Sequence, residues 1–301
     1  MNQEFIYIIF IIALGYLLKR TGILKESDGA VISRIIFNIT LPSLVIVSLQ
    51  TSTITLSLIG ITLIVILYGV LSTVVAYFVF RKETREIKGT FMMLASGYNV
   101  GLFAFPLVEA FWGVEGLLYF GMFDVGNSFI VFGLAYLVGS YFSENGLRLE
   151  WRSILMKFGK SIPLMTYIIM SILNFSDIEL PTLFLDVATI ISKANMPLAL
   201  LLLGIYFEFS FDKQYFRPII KYLVFRYGLG LLVGISLYLT LPVDEMFKNT
   251  ILIGLVLPIG LAVIPYAHEF KYRTKMVIGT VSNLCIFISM ILLYLFSYII
   301  L

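Results

Sequence analysis

The chain has very few of the residues from which most enzyme and metal sites are built. It contains one histidine and one cysteine in 301 residues, so an intrachain disulfide and a cysteine-based metal site are excluded. His268-Glu269 does not continue as a zinc protease motif, because Tyr272 stands where the second histidine would be. We therefore expect a protein that is not an enzyme and has no metal site and no cofactor, apart from a coupling proton or sodium ion considered below.

Charge is scarce as well. Only 13% of the residues are charged and 60% are hydrophobic, whereas a soluble domain carries about 25% charged residues. A soluble fold of this composition would lack the polar surface to cover itself, so the sequence predicts an all-α integral membrane protein in a lipid bilayer. The net charge of +3 does not indicate nucleic acid binding, because the basic residues lie in short loops between apolar runs.

Ten apolar segments are long enough to cross a bilayer, which takes about 20 residues. Basic residues, such as Lys221 and Arg226 at the seventh connection, flank every second connection; Lys193 and Lys248 are the exceptions. By the positive-inside rule, the odd-numbered connections are cytoplasmic and both termini are extracytoplasmic, in a multi-pass protein of the cell membrane. The predicted segments are 4–19, 29–49, 55–80, 88–111, 116–142, 153–173, 184–209, 216–240, 248–269 and 274–300.

Two of these segments carry a matching interruption. Asn99–Pro106 reads NVGLFAFP and Pro258–Pro265 reads PIGLAVIP, with glycine, leucine and proline at matching positions. An interior proline removes a backbone donor and clashes with the preceding turn, and in lipid the freed backbone groups must find protein or water partners. The pair of interruptions favours a mid-membrane binding site, the alternative being a structural kink filled by a neighbouring helix.

The two halves of the chain align with each other. Ile35–Pro42 aligns with Ile190–Pro197 at an offset of 155 residues, and the interrupted segments align at an offset of 159. Because each half has five helices, the second must enter the membrane from the opposite side. The sequence therefore predicts two inverted five-helix repeats. Their bounds are 1–142 and 153–301, joined by a cytoplasmic connection at 143–152, and Asp124–Asn127 aligns with Thr280–Asn283.

Four stretches of the first half resemble the auxin efflux carrier family, which includes the plant PIN carriers and many bacterial permeases. They are Asn38–Pro42, Tyr98–Leu107, Trp112–Gly116 and Phe123–Asn127, and the resemblance runs over essentially the whole chain. It implies a fold like that of the bile acid/sodium symporters, with broken fourth and ninth helices that cross at the midplane. Helices 1, 2, 6 and 7 would form a static scaffold, and helices 3–5 and 8–10 the moving crossover bundle.

The same resemblance implies transport of small organic anions, such as the malate or malonate proposed for bacterial members. The chain lacks the long cytoplasmic loop between helices 5 and 6 of many plant carriers, so auxin itself is not the expected substrate. The resemblance is also compatible with a homodimer.

The candidate substrate-binding residues are amides, glycines and prolines near the breaks. The amide of Asn99 can donate to a carboxylate or cap a half-helix, and the resemblance to the asparagine of the family's fourth helix points to a substrate role. Asn127 and Asn283 either contact substrate or satisfy unwound backbone, and Asn38 either contacts substrate or breaks its helix. The full set is Asn38, Asn99, Val100, Gly101, Pro106, Asn127, Pro258, Gly260, Pro265 and Asn283.

Asp124 is the acidic residue placed deepest in the fifth predicted segment. A carboxylate inside a span costs about 2.5–3.5 kcal/mol on insertion scales, so it usually faces a cavity or a partner. It either binds a coupling proton or sodium ion or lies on a polar helix contact. Two functions remain open: a secondary or facilitative carrier of small organic anions that works by alternating access, which is favoured, and a sodium/proton or other cation antiporter that uses Asp124.

Overall fold

A computed structural model describes residues 2–52, 54–144, 151–207 and 213–300. Regular structure in these ranges is helical, and the predicted connection at 143–152 falls mostly on residues 145–150, outside them. The α-helices are α1 Asn2–Arg20, α2 Glu26–Ile35, α3 Leu41–Gln50, α4 Leu56–Val79, α5 Arg85–Ala95, α6 Phe105–Ser128, α7 Tyr136–Phe142, α8 Trp151–Lys160, α9 Ile162–Phe175, α10 Thr182–Ser192, α11 Asn195–Tyr206, α12 Phe216–Thr240, α13 Glu245–Gly254, α14 Val263–Glu269 and α15 Lys275–Ile300. Three π-helical segments are Ile36–Thr40, Val100–Ala104 and Phe129–Ala135, and a 3-10 turn is Lys213–Tyr215.

Six helices among the described residues are long and apolar enough to cross a membrane, or seven if α8 and α9, bent by 71°, form one span. The prediction of an all-helical, multi-pass membrane protein is therefore confirmed. The count of ten spans is not established by length and composition, because some predicted segments are divided into short helices. One such helix, α13, has 10 residues, about half of what a bilayer requires.

Pro42 and Pro106 each follow a π-helical turn within helical backbone. Pro42 lies in the first turn of α3, after the π-helical Ile36–Thr40, and Pro106 is the second residue of α6, after the π-helical Val100–Ala104. A proline has no N–H to donate, and helical backbone precedes each of these two prolines, so each coincides with a local π-helical turn and not with a helix start. The non-helical residues at 96–99 and 255–262 lie upstream of Pro106 and Pro265, so the breaks are displaced from the prolines on which the sequence argument relied.

Gly113 divides α6. Its backbone has φ 57° and ψ −141°, whereas the residues around it are helical. A positive φ combined with this ψ is open to glycine and strained for any other residue. The fourth and fifth predicted segments, 88–111 and 116–142, are separated at this residue.

One compact unit comprises residues 1–59, 100–122 and 159–207. Within it, α1 and α11 pack closely: a Cβ atom at Gly15 would lie 2.2 Å from the Leu201 oxygen, and one at Gly204 would lie 2.0 Å from the Ile12 oxygen. Small residues of this kind allow helix backbones to approach each other in membrane proteins. The buried Thr40 hydroxyl donates to Asn195 Oδ1 over 3.0 Å in the same unit.

The other compact unit comprises residues 60–99, 123–158 and 208–301. Its buried aromatic rings include Phe80 and Phe91, stacked at 4.7 Å, and Tyr222, whose ring lies 5.3 Å from that of Phe91. Offset stacking of this kind stabilises a core beyond simple burial of area. The cluster packs the second turn of α12 against α5. The interrupted segment Pro258–Pro265 lies in this unit, and the segment Asn99–Pro106 begins in it.

Candidate functional site

The two interrupted segments meet within the second unit. The Asn99 N–H donates to the Pro258 oxygen over 2.9 Å, and Tyr98 and Ile259 form an isolated antiparallel bridge. The Gly260 N–H donates to the Gly97 oxygen over 3.4 Å. We refer to the stretch formed by residues 97–99 and 258–260 as the junction. Its backbone groups bond across from one segment to the other, which is how non-helical backbone is satisfied inside a membrane protein.

The amide of Asn127 holds the first segment. Its Oδ1 accepts from the Tyr98 N–H over 2.9 Å, and its Nδ2 donates to the Tyr98 oxygen over 3.1 Å. Nδ2 also donates to Asp124 Oδ1 over 3.1 Å. With both amide hydrogens and one lone pair used, Asn127 satisfies the unwound backbone of Tyr98 and joins it to the Asp124 carboxylate.

A buried arginine reaches both segments. Arg226 of α12 is 2% exposed, and its Nη2 donates to the Gly97 oxygen over 3.2 Å and to the Leu257 oxygen over 2.9 Å. Its Nη1 donates to the Leu94 oxygen and to the Tyr222 hydroxyl, each over 3.1 Å. One guanidinium thus contacts the first segment within the junction, at Gly97, and the second segment one residue before it, at Leu257.

The charge of Arg226 has no acidic partner among the described residues. The ion pairs in that part of the chain involve other basic residues: Lys157, Lys221, Lys248 and Arg273. The Arg226 guanidinium carbon lies 4.6 Å from the centre of the Tyr98 ring, and its Nε is buried without a hydrogen-bond partner. A buried cation is usually paired with an acidic group, because desolvating an isolated charge is costly. Here the partners are neutral oxygens and one aromatic ring.

The other predicted residues are divided between the two units. Asp124 is half-buried and, like the buried Asn283 of α15, lies in the second unit, whereas Pro265 is exposed in the first turn of α14. The first unit contains the buried Val100, Gly101 and Pro106, together with the exposed Asn38, whose amide donates to the Arg34 oxygen over 2.7 Å. The substrate contacts of all these residues stay predictions.

The sequence analysis missed the position of Arg226. It grouped this residue with the basic flank of the seventh connection, and that assignment is wrong, because Arg226 is buried ten residues after the start of α12 at Phe216. The available signal was its place inside an apolar segment, one helical turn after Tyr222. An ionisable residue within a span is by default a candidate functional residue.

Interrupted helices that meet inside a multi-pass helical protein are typical of secondary transporters. The comparison with known families agrees with this class: residues 3–150 match the model of the family described as membrane transport protein. This match agrees with the resemblance to the auxin efflux carriers, and the chain is a membrane transporter and not an enzyme.

Two archaeal relatives carry the same general description. The chain is 26% identical over 215 residues to an uncharacterized transporter of Methanothermobacter thermautotrophicus, covering 70% of this chain and 69% of the relative. It is 23% identical over 285 residues to an uncharacterized transporter of Methanocaldococcus jannaschii, covering 91% of each chain. The second match extends over nearly the whole chain, including the half that lies beyond the family match.

Proposed function

We propose that this protein is a carrier of small organic anions that works by alternating access, with its substrate site at the junction. The observation that carries the proposal is the contact between the two interrupted segments, Asn99 N–H to Pro258 oxygen, with a buried cation beside it. Broken helices that meet inside a membrane transporter mark a substrate site, and a neighbouring positive charge favours an anion over a cation.

The proposal includes two inverted five-helix repeats with crossing fourth and ninth helices. Thr40 and Asn195 align at the offset of 155 residues and are hydrogen-bonded to each other. Asn99 and Pro258 align at the offset of 159 and are also hydrogen-bonded to each other. Two equivalent residues of a duplicated structure touch only where a pseudo-two-fold axis passes, so each contact supports an inverted repeat within its own unit.

We test the substrate class by counterflow of labelled malate into proteoliposomes. The wild type is expected to accumulate label, and Asn99→Ala is expected to abolish most of the uptake because it removes an amide at the junction. Ser236→Ala, on the exposed side of α12, is the matched control and should transport normally. Absence of uptake by the wild type over a panel of malate, malonate and succinate would contradict the organic-anion proposal.

Asp124 is the proposed site for a coupling proton or sodium ion. Its carboxylate is half-buried and accepts from Asn127. Because Asn127 also bonds the backbone of Tyr98, a change in the protonation of Asp124 would affect the junction through that one side chain. Asp124→Asn should leave malate exchange intact and remove its acceleration by a pH or sodium gradient. The alternative function, cation antiport, predicts sodium-driven pH changes in vesicles without malate, lost in the same variant.

We also propose that both termini are extracytoplasmic. In a Cys285→Ser background, Thr21→Cys follows α1 and Ser176→Cys follows α9, and both positions are exposed. A membrane-impermeant maleimide added to intact cells should label Ser176→Cys and not Thr21→Cys. The reverse pattern would contradict this orientation. The homodimer stays a prediction, to be checked by the mass of the purified protein in detergent.

A further inference from the structure

We propose that Arg226 is the residue that positions both interrupted segments and makes the junction selective for anions. The proposal rests on the proposed function, since it names the residue that sets the charge class of the substrate. Arg226 acts through the backbone that it holds, so it is a positioning residue and needs no direct contact with substrate.

Arg226 bonds backbone carbonyls near the ends of α5 and α13. Leu94 lies in the last turn of α5, Gly97 lies two residues beyond its end, and Leu257 lies three residues beyond the end of α13. Carbonyls at the end of a helix have no intrahelical donor, and here the two Nη atoms of Arg226 donate to all three. A planar guanidinium with five N–H groups suits this task, whereas the ammonium of lysine is a compact point donor.

The positive charge of Arg226 lies near helix ends and not near an acidic side chain. The C-terminal end of a helix carries about half a negative elementary charge, so the guanidinium charge is balanced only by partial charges on neutral oxygens. The described residues include no carboxylate in an ion pair with Arg226, and its Nε is buried without a partner. In a poorly polarisable interior this leaves the neighbourhood of the junction positive, which favours a bound carboxylate and disfavours a neutral substrate of the same shape.

The guanidinium of Arg226 lies directly against the junction. Gly97, whose oxygen accepts from Arg226, also accepts from the Gly260 N–H. Tyr98, over whose ring the guanidinium lies, forms the bridge to Ile259. Removal of the guanidinium would therefore release both segments at the points where they bond to each other, as well as remove the positive charge.

The first experiment compares Arg226→Met, which keeps much of the volume, with Arg226→Lys, which keeps the charge. Ser236→Ala, on the exposed side of α12, is the matched control, and Tyr222→Phe removes one acceptor of Nη1 and one bond to the Leu94 oxygen while it keeps the guanidinium. Counterflow of labelled malate is measured against unlabelled malate and its neutral diamide as competitors.

In Arg226→Met the apparent KM for malate should rise about a hundredfold, the scale of truncating one partner of a buried charge interaction. Malate should also lose its advantage over the diamide. In Arg226→Lys the KM should rise about tenfold, as expected for one or two lost hydrogen bonds, with the preference for the anion retained. Ser236→Ala should stay close to wild type, and Tyr222→Phe should raise the KM less than Arg226→Lys does, with the preference for the anion retained. An unchanged KM and an unchanged preference in Arg226→Met would overturn the proposal.

The second experiment does not depend on the substrate. Hydrogen exchange is followed in detergent for peptides that cover 97–101 and 257–262, which contain the Asn99 and Gly260 amides. Both should exchange faster in Arg226→Met and, to a smaller extent, in Arg226→Lys, which also serves if the methionine variant fails to fold. Exchange that stays at the wild-type rate, or rises in one segment alone, would overturn the proposal. If the wild type carried no organic anion, the proposed function would fail and this measurement would still decide the role of Arg226.

Discussion

The two interrupted segments occupy matching places in the chain and are held differently. In the first, four residues (96–99) separate α5 from its π-helical continuation, and in the second, eight residues (255–262) separate α13 from α14. The first is bonded by Asn127 at Tyr98 and by Arg226 at Leu94 and Gly97. The second is bonded by Arg226 at Leu257, by the Ser289 hydroxyl at Val256 and by the Tyr98 hydroxyl at Leu255. The comparison teaches that an interruption can be preserved between two related segments while the side chains that support it differ.

The largest effect on stability is expected from Asn127→Leu. The substitution leaves the N–H and the oxygen of Tyr98 buried without the amide, and each such group costs about 1–3 kcal/mol. We expect a loss of about 4 kcal/mol, measured as a lower midpoint of thermal unfolding in detergent.

The repeat-equivalent change Asn283→Leu in α15 is the matched comparison. A smaller loss in that variant would sharpen the difference between the segments. Equal losses would show that Asn283 supports the second segment as Asn127 supports the first, and that the two segments are held alike.

The next effect concerns the packing of α12 on the second segment. A Cβ atom at Gly230 would lie 2.4 Å from the Leu255 oxygen, whereas one at Gly228 would have no atom within 4 Å. Gly230→Ala should therefore destabilise the protein by about 2 kcal/mol, within the range for overpacking, and Gly228→Ala should be neutral. The same unfolding assay measures both, and a neutral Gly230→Ala would show that the second segment moves aside easily.

A smaller effect is expected at the contact between the segments. A Cβ atom at Gly260 would lie 3.1 Å from the Tyr98 oxygen, so Gly260→Ala requires a shift of a few tenths of an ångström. We expect a loss of about 1 kcal/mol, the low end for overpacking, with a larger relative fall in malate counterflow than in unfolding temperature. A stability loss without a change in transport would place the working site away from this contact.

The smallest effect is expected at the far end of the second segment. Glu269, the last residue of α14, accepts from Tyr136 and forms a 3.0 Å ion pair with Lys157, whose side chain is 25% exposed. Because a partly exposed pair is screened by solvent, Lys157→Met should cost less than about 1 kcal/mol. The exposed Lys160→Met is the control, and a salt titration of the unfolding midpoint should reduce the difference between them.

The coarse architecture could be predicted from the sequence, because it follows from what a bilayer tolerates. Ten apolar segments and a scarcity of charge predict a multi-pass helical protein, and the interruptions near Asn99 and Pro258 are present in the structure. The break lies upstream of the proline: the unwound residues are Ser96 to Asn99, and Pro106 follows the π-helical turn Val100–Ala104.

The side chains that hold the backbone at the junction were harder to predict, because their role depends on which side chain meets which carbonyl. Asn127 was considered either a substrate ligand or a partner of unwound backbone, and the contact with Tyr98 shows the second role. Arg226 was counted by charge sign alone, which cannot distinguish a cation at a loop from a cation bonded inside. Hydrogen-bond geometry between segments more than a hundred residues apart is not written in a local pattern.

The turn at Gly113 has a genetic consequence. A side chain there would have open space around it, since no atom lies within 4 Å of the Cβ position, yet the backbone has φ 57° and ψ −141°. A single-base change in a glycine codon introduces only residues that carry a Cβ atom, and each would be held in a conformation that costs about 1–3 kcal/mol. A prediction of mutational tolerance based only on crowding would therefore rate Gly113 as tolerant. Every single-base missense change would nevertheless place a residue with a Cβ atom in a strained backbone conformation.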